Sequence, residues 1–399
     1  MPYSYRSRAS GSAYKQKSYH SRPSSGRRFK KDYIDPSRFV KSAKSSSVVE
    51  APIKHAFADF GLHPLIQKNL DDKSYVTPTP IQDQTIPIGI VGKDVVGIAD
   101  TGTGKTAAFA IPIIQKLISD KTSMALIMAP TRELADQIED QVRSIAKNSG
   151  LMGALLIGGV AMGPQLKDLR ARPNIVIGTP GRIKDHFEQG TLKLENCNVV
   201  VLDEVDRMLD MGFINDIQFI LEKTSPKRQS FFFSATLDEK VKTIINKFSY
   251  EPEYILMKTG DTSDNVDQNV ITYRAHGEKI DKLHDLLIKQ DVEKTLIFDD
   301  THRSVEKLCK ELQLRGFNTD AIHGGKSQSQ RQRALKKFKD NNISILVATD
   351  VAARGIDVID ITHIVNYSVP QSYSDYVHRI GRTGRAGRRG YALTFVEKH

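Results

Sequence analysis

Short apolar runs recur along most of the chain, and segments with the spacing of amphipathic helices lie between them. Residues 133–147 form one such helical segment. Runs that are apolar throughout are typical of strands buried on both faces, as in parallel sheets covered by helices. The runs fall into two series, at residues 95–98, 125–128, 174–177, 199–202 and 231–233, and at residues 295–298, 343–347, 363–365 and 391–396. The pattern predicts the α/β class, with two tandem parallel-sheet domains.

A polar stretch rich in turn-forming residues, at residues 258–267, separates the two series and is the predicted linker. The first domain would then span residues 51–257 and the second residues 268–399, which suits a chain of 399 residues. No apolar run approaches the roughly 20 residues needed to cross a bilayer. The two cysteines, Cys197 and Cys309, offer neither a disulfide framework nor a zinc cluster. We therefore expect a reducing compartment, the cytoplasm.

The positive charge of the chain is concentrated at its N-terminus. The sequence has a net charge of +11, and residues 1–31 contribute five Arg, four Lys and no acid, which leaves +2 for the rest. Those residues hold no aliphatic side chain larger than Ala apart from Met1, so we predict a disordered basic tail over residues 1–50. Interleaved aromatic rings suit the binding of single-stranded nucleic acid. The alternatives are a merely solvated tail or a mitochondrial transit peptide, although the stretch lacks the amphipathic helix that a transit peptide needs.

A glycine-rich loop follows the apolar run at residues 95–98 and precedes a helical segment. It reads Ala99-Asp100-Thr101-Gly102-Thr103-Gly104-Lys105-Thr106. Backbone N–H groups of small residues can wrap a polyphosphate at a helix N-terminus, where Lys105 can reach the β and γ phosphates and Thr106 can ligate Mg²⁺. The strict pattern has Gly where this chain has Ala99. The loop predicts a nucleoside triphosphate site, with an ordinary glycine-rich turn as the alternative.

Two acids, Asp203 and Glu204, directly follow the apolar run at residues 199–202. An acid at this position can hold Mg²⁺ through water, and its neighbour can orient and deprotonate an attacking water. Acids that stabilise the start of a helix are the alternative explanation. Together with the glycine-rich loop, the pair favours nucleotide hydrolysis.

Many further short motifs occur in the order that they have in the DEAD-box family of ATP-dependent RNA helicases, which the sequence resembles from about Phe57 to its C-terminus. The motifs lie at residues 77–82, 99–106, 130–135, 158–159, 179–182, 203–206, 234–236, 297–301, 323–324, 328–331, 348–357 and 378–385. The resemblance implies two RecA-like domains, ATP and Mg²⁺ as cofactors, and RNA as partner. It also implies an RNA-stimulated ATPase that couples ATP binding and hydrolysis to local RNA duplex separation or ribonucleoprotein remodelling.

The resemblance assigns the nucleotide site residue by residue. Gln82 would hydrogen-bond the adenine edge while Phe57 stacks on its face. Arg382 and Arg385 would act as arginine fingers on the γ phosphate, together with the catalytic residues Lys105, Asp203 and Glu204. The other predicted nucleotide contacts are Thr101, Gly102, Thr103, Gly104, Thr106, Gly355 and Asp357, and the predicted metal ligands are Thr106 and Asp203.

The resemblance also implies an RNA surface and a coupling route. The predicted RNA-binding residues are Arg132, Gly159, Thr179 and Arg182 in the first domain and Gly324 and Thr349 in the second. Small residues and backbone donors suit phosphates and 2′-hydroxyls, so recognition would be largely independent of sequence. The residues predicted to couple the nucleotide to RNA are Ser234, Thr236 and His378.

Two departures from the family pattern affect these expectations. Val205 stands where the family has Ala, and we expect it to repack locally without loss of activity, since the position supplies no polar atom. The chain also ends soon after the run at residues 391–396, where family members usually continue into a further helix, so a fragment is one interpretation.

Two rival functions stay open at this level. One is a DNA translocase of the same superfamily, which the resemblance of Gln82, Phe57 and residues 234–236 to the RNA group disfavours. The other is an ATP-gated RNA clamp or scaffold with little unwinding, because clamping and unwinding use the same closed state. We expect a monomer with further protein partners.

Overall fold

Two parallel β-sheets packed against helices organise the chain. The computed structural model describes residues 34–43, 53–100, 102–257, 265–353, 358, 360–384 and 388–398. Every pair of neighbouring strands in the two sheets runs parallel. The predicted α/β class with two parallel-sheet domains is therefore confirmed.

The described part of the first domain is built on seven strands. They are β1 (Val95–Ile98), β2 (Met124–Met128), β3 (Gly153–Leu156), β4 (Ile175–Gly178), β5 (Cys197–Leu202), β6 (Gln229–Ser234) and β7 (Glu253–Leu256). They lie in the order β3-β4-β2-β5-β6-β1-β7. The helices are α1 (Pro64–Asp71), α2 (Pro80–Ile90), α3 (Lys105–Ser119), α4 (Arg132–Ile145), α5 (Met162–Arg170), α6 (Pro180–Glu188), α7 (Val205–Asp210), α8 (Ile214–Lys223) and α9 (Glu239–Phe248), preceded by a 3₁₀ helix at Phe57–Phe60.

Among the residues that the structure describes, the second domain is built on six strands. They are β8 (Val266–Tyr273), β9 (Thr295–Phe298), β10 (Thr319–Ile322), β11 (Ile345–Ala348), β12 (His363–Asn366) and β13 (Gly390–Glu397), in the order β10-β11-β9-β12-β13-β8. The helices are α10 (His276–Leu287), α11 (His302–Leu314), α12 (Gln328–Lys339), α13 (Asp350–Ala353) and α14 (Tyr373–Ile380).

Strand β6 illustrates why the central strands are apolar throughout. Phe231 and Phe233 belong to the hydrophobic cluster on one face of the first sheet, whereas Phe232 belongs to the cluster on the other face. Successive side chains of a strand point to opposite faces, so a strand covered on both faces needs apolar residues at every position. The predicted helical segment at residues 133–147 corresponds to α4.

The four strands without a predicted apolar run are the edge strands of the two sheets, namely β3 and β7 in the first and β8 and β10 in the second. Edge strands are partly exposed and carry polar residues, as in the sequence Val-Asp-Gln-Asn of β8. Their pattern therefore lacks the continuous apolar run of a central strand.

The predicted extent of the disordered tail, residues 1–50, is wrong for residues 34–43. These residues, which we call the docked segment, contain a 3₁₀ helix at Pro36–Phe39 and form an antiparallel bridge between Lys41 and Gln268 of β8. Ile34 and Phe39 are buried in the core of the second domain, and this apolar burial stabilises the docked segment. The part of the predicted tail at residues 1–33 and 44–50 lies outside the described residues.

The predicted boundary between linker and second domain, at residue 267, falls inside β8, which begins at Val266. Residues 258–264 of the predicted linker lie outside the described part of the chain. No helix among the described residues is long and apolar enough to span a membrane.

Candidate active site

A cavity of about 630 Å³ brings most of the predicted nucleotide-binding residues together. The loops that follow β1 and β5 contribute to its wall, because parallel strands end at the same edge of a sheet. The predicted residues that line it are Phe57, Gln82, Gly102, Gly104, Lys105, Thr106, Asp203, Glu204 and Arg382. Arg382 belongs to the second domain, so both domains form this cavity.

The glycine-rich loop ends at Gly104, directly before helix α3. Gly104 has a φ of 92°, and a Cβ at this position would overlap the side-chain amide of Gln82. A side chain is therefore excluded here by both backbone conformation and space. The Lys105 ammonium donates a 2.8 Å hydrogen bond to the carbonyl of Ala99 across the loop. The loop and the α3 N-terminus thus have the form of a phosphate cradle.

Gln82 connects its own helix to this loop. Its Oε1 accepts a hydrogen bond from the Thr79 N–H at 3.0 Å, and its Nε2 donates to the Gly104 carbonyl at 3.0 Å. A side-chain amide has two donor hydrogens and two acceptor lone pairs, so one of each remains for a base edge. Gln82 therefore has a structural role that its sequence position did not predict.

Phe57, predicted to stack on adenine, is 1% exposed although it contributes to the cavity wall. Tyr75 packs against it, with ring centroids 6.2 Å apart and planes 29° from parallel. Tyr75 is less buried and lines the same cavity. The aromatic surface on this side therefore combines Phe57 with Tyr75. Sequence reasoning missed Tyr75, which lies two residues before the motif at residues 77–82.

Asp203 and Glu204 are both buried, at 3% and 4% exposure, but their surroundings differ. Burial raises the pKa of Asp203 to about 6, against the opposing effect of Lys105. Burial would also raise the pKa of Glu204, but the cations Arg207, Arg382 and Lys105 outweigh it and hold that pKa below its ordinary value. Glu204 is therefore ionised at neutral pH, as a general base must be.

Asp206 links the end of β5 to the end of β6. Its Oδ2 accepts hydrogen bonds from the Ala235 and Thr236 N–H groups at 3.2 and 3.1 Å and from the Thr236 hydroxyl at 3.2 Å. The Ser234 hydroxyl in turn accepts from the Asp206 N–H at 3.3 Å. The predicted coupling residues Ser234 and Thr236 are thus bonded to the acidic motif. Val205 is fully buried in an apolar cluster, with no polar role.

The second domain contributes Arg382 and His378 next to the acidic motif. Arg207 of the first domain donates a 2.9 Å hydrogen bond to Glu204 and lines a small gap with His378 and Arg382. Burial, followed by the nearby Arg207 cation, lowers the pKa of His378 to about 4. His378 is therefore neutral at neutral pH and can lie beside these arginines without repulsion.

The predicted RNA-binding residues of the first domain form one polar group. The Arg132 guanidinium lies against Gly159, which has a φ of 70°, and a Cβ at Gly159 would overlap this guanidinium in its present position. Arg182 lies close to Arg132 and donates a 3.4 Å hydrogen bond to the Val160 carbonyl. Thr179 is the N-cap residue of α6, which carries Arg182.

In the second domain, Gly324 and Thr349 follow the adjacent strands β10 and β11. The Thr349 N–H donates to the carbonyl of Ile322 at 3.3 Å, two residues before Gly324. The Thr349 hydroxyl is buried and has no hydrogen-bond partner among the described residues. His302, which sequence reasoning missed, lies against Gly324 and stacks on His323 with ring centroids 5.0 Å apart.

Four predicted site residues, Thr101, Gly355, Asp357 and Arg385, lie outside the described residues. The cavity wall also contains Lys339, from the last turn of α12, and Asp140 of α4. Neither position carries a local signal, because Lys339 reaches the cavity through the packing of the second domain on the first, and Asp140 through the packing of α4 within the first domain.

Two family models match the chain in tandem. The DEAD/DEAH box helicase model matches residues 79–244, and the helicase conserved C-terminal domain model matches residues 278–387. The chain belongs to the DEAD-box family of ATP-dependent RNA helicases. The resemblance noted in the motifs is therefore confirmed.

Among its relatives is the DEAD-box ATP-dependent RNA helicase CshA of Bacillus subtilis (strain 168). The two are 44% identical over 342 residues, which cover 85% of this chain and 69% of the relative. CshA of Geobacillus kaustophilus (strain HTA426) is also 44% identical over 342 residues, covering 85% of this chain and 73% of the relative.

Solved structures of the family have the same two-domain architecture. Mss116p bound to single-stranded RNA and AMP-PNP matches with a TM-score of 0.78 and 32% identity, over 89% of this chain and 77% of that one. Dbp5 of S. cerevisiae bound to RNA and ADP BeF3 matches with a TM-score of 0.76 and 26% identity, over 87% of this chain and 90% of that one. The predicted RecA-like fold of both domains is confirmed.

Proposed function

We propose that this protein closes its two domains on ATP and RNA, hydrolyses ATP between them, and so separates short RNA duplexes or remodels ribonucleoproteins. By family it is an ATP-dependent RNA helicase whose ATPase is stimulated by RNA, as predicted from the sequence. The observation that carries the proposal is the shared cavity, in which Arg382 of the second domain lies with Lys105 and Glu204 of the first. Because the cavity is complete only when the two domains are in contact, hydrolysis would require domain closure.

At the phosphate end, the N–H groups of the glycine-rich loop and Lys105 would bind the β and γ phosphates. Thr106 and Asp203 are the proposed Mg²⁺ ligands, since both line the cavity beside Lys105. Their hydroxyl and carboxylate oxygens are ligands that Mg²⁺ prefers, usually together with substrate phosphates and waters. The buried Asp203 carboxyl, with its raised pKa, also fits a site that a cation completes. A bound Mg²⁺ would neutralise charge that develops on the phosphates.

Glu204 is the proposed base for the attacking water. Its ionised state is supported by the cations around it, and the Arg207 hydrogen bond to Oε2 holds the carboxylate in place. Arg382 would stabilise charge on the transferred phosphoryl group, an effect worth roughly 10³ to 10⁵ in rate for arginine fingers of related enzymes. Because Arg382 comes from the second domain, an open cleft would leave the water-activating residues without it.

RNA would bind along the surface formed by Arg132, Gly159 and Arg182 and by Gly324 and Thr349 of the second domain. The buried Thr349 hydroxyl has no hydrogen-bond partner among the described residues, and it would donate to a phosphate or a 2′-hydroxyl of a bound RNA. The likeness to family structures bound to RNA and a nucleotide analogue, at TM-scores of 0.78 and 0.76, supports a similar placement of the two domains.

Two assays on the same preparation test the proposal. Steady-state ATPase activity is measured with single-stranded RNA or single-stranded DNA as activator, and strand separation is followed on a short RNA duplex by gel shift. We expect stimulation by RNA and ATP-dependent release of the short strand. Equal stimulation by DNA would favour a translocase, and RNA-stimulated hydrolysis without strand release would favour an ATP-gated clamp. A cytoplasmic location, a monomeric state and further protein partners stay predictions.

A further inference from the structure

The docked segment, residues 34–43, packs on the helix that leads to Arg382. Phe39 is fully buried and its ring contacts that of Tyr376 in α14, with centroids 4.7 Å apart. One residue earlier, the Arg38 guanidinium lies 3.9 Å from the centroid of the Tyr373 ring, on the same helix. The docked segment therefore covers the face of α14 that Tyr373 and Tyr376 share at helical spacing.

Backbone pairing fixes the docked segment at the free edge of the second sheet. The Lys41 N–H donates to the Gln268 carbonyl at 3.1 Å, and the Gln268 N–H donates back to Lys41 at 2.8 Å. The Ala43 N–H donates to the Asp267 carboxylate at 2.9 Å. The Tyr376 hydroxyl donates to the Gln268 side chain at 2.9 Å. Direct contacts therefore connect β8, α14 and the docked segment with one another.

A second residue of α14, Arg379, also holds the helix in place. Arg379 is almost fully buried and makes two hydrogen bonds to the Asp350 carboxylate, at 2.6 and 2.7 Å. It also donates to Asn366 at 3.1 Å and to the Ser368 carbonyl at 2.8 Å. The helix is thus held by the Arg379 contacts as well as by the docked segment.

Arg382 lies two residues beyond the end of α14 and six residues after Tyr376. From Tyr376 to the end of the helix at Ile380 is roughly 6 Å, and the turn that carries Arg382 follows, so a tilt of α14 at Tyr376 is transmitted to the arginine. A displacement of about 1 Å at a reacting centre can cost on the order of 100-fold in rate.

We propose that the docked segment is a positioning element for Arg382, acting through Phe39 and Arg38 on the tyrosine face of α14. This inference rests on the proposed role of Arg382 in phosphoryl transfer. None of the docked residues contributes to the cavity wall, so their effect passes through the helix.

The test uses full-length variants and the RNA-stimulated ATPase at saturating ATP and RNA. Phe39→Leu keeps an apolar side chain but removes the ring that packs on Tyr376, and Arg38→Ala removes the cation over Tyr373. We expect each to lower kcat by roughly three- to tenfold, within the range that small displacements produce. Arg38→Lys keeps a cation over the ring and should restore most of the rate. The matched control is Val40→Ala, because Val40 is the next residue and 58% exposed, and it should leave kcat unchanged.

A double-mutant cycle with Arg382→Ala separates positioning from a simple loss of folded protein. If the docked segment acts through Arg382, Phe39→Leu should cause no further loss of single-turnover rate in the Arg382→Ala background. A smaller folded fraction would lower the rate by the same factor in both backgrounds and would overturn the inference, as would wild-type kcat in both segment variants. Wild-type kcat in Arg382→Ala alone would overturn the proposed function, and the inference with it.

Discussion

Glu133 of α4 and Arg331 of α12 form an ion pair across the two domains, with 2.6 Å between Oε1 and Nη2. Both side chains are buried, at 3% and 7% exposure. Burial raises the pKa of Glu133, and the Arg331 cation opposes that shift. Without its partner, each group would be an unpaired charge buried between the two domains. The ion pair therefore forms only while the two domains are in contact.

Removing one partner should therefore weaken closure. Glu133→Gln is expected to raise the KM for RNA and for ATP together by roughly tenfold or more, since removing one partner of a buried ion pair leaves an uncompensated charge that costs about 3–5 kcal/mol. Small-angle scattering should show less compaction on adding AMP-PNP with single-stranded RNA. The control is Gln332→Ala, which removes an exposed bond from the same helix to Asp136 and should have little effect. Unchanged KM values in Glu133→Gln would contradict a role for the pair in closure.

Glu204→Gln should keep ATP and RNA binding but lower ATP turnover by roughly 10² to 10⁴, the usual contribution of a general base. The physical reason is that an amide cannot take a proton from water, although it fits the same space. Equilibrium binding of a fluorescent ATP analogue and of RNA should be measured beside turnover. Glu195→Gln, at an exposed glutamate, is the control. A normal ATPase rate in Glu204→Gln would remove the base assignment.

Gln82 should make the enzyme prefer ATP to GTP. A guanine edge would leave buried polar groups unpaired, at about 1–3 kcal/mol each, so GTP should be used at least tenfold less efficiently in kcat/KM. Gln82→Ala should reduce this preference and also raise the KM for both nucleotides, because the hydrogen bond to the Gly104 carbonyl is lost as well. Equal kcat/KM for ATP and GTP in the wild type would rule out adenine reading by this residue.

His378 should make the folded second domain less stable in mild acid. Its pKa is lowered by burial to about 4 from 6.5, so on acidification the unfolded chain takes up a proton that the folded chain does not. The free energy of unfolding should therefore fall as pH decreases from about 6.5 towards 4. His378→Gln should flatten this part of the profile in chemical denaturation experiments. A profile as steep as that of the wild type would assign the pH dependence to other groups.

Deleting residues 1–31 should leave kcat at saturating RNA nearly unchanged, since the described nucleotide-site residues all follow residue 56. RNA affinity should fall and become less sensitive to salt, because every RNA phosphate that the shortened protein no longer neutralises removes about 0.7 from the log–log salt slope for a single strand. Binding titrations of full-length and shortened protein at several salt concentrations measure both effects. Identical slopes would indicate a merely solvated tail, and a large loss of kcat would show that the tail takes part in catalysis.

The sequence by itself determined the features that depend on local pattern. A central strand needs apolar residues on both faces, so β1, β5 and β6 were visible as continuous runs. The phosphate loop was equally local, since Gly104 and Lys105 act within one strand-to-helix turn. The edge strands were not predicted because they carry polar or partly exposed residues that interrupt the apolar pattern. The roles of the site residues were inferred from the ordered motifs. The motif that contains Gln82 did not reveal the hydrogen bond between its side chain and the Gly104 carbonyl.

Only the tertiary structure decided which distant residues meet. Phe39 and Tyr376 are 337 residues apart in the chain, and nothing in the polar surroundings of Phe39 indicated that the segment would pair with the edge of β8. Glu133 and Arg331, and the place of Lys339 in the cavity wall, likewise depend on the packing of one domain against the other. Such contacts depend on the shape and charge of two assembled surfaces, which a linear pattern does not contain.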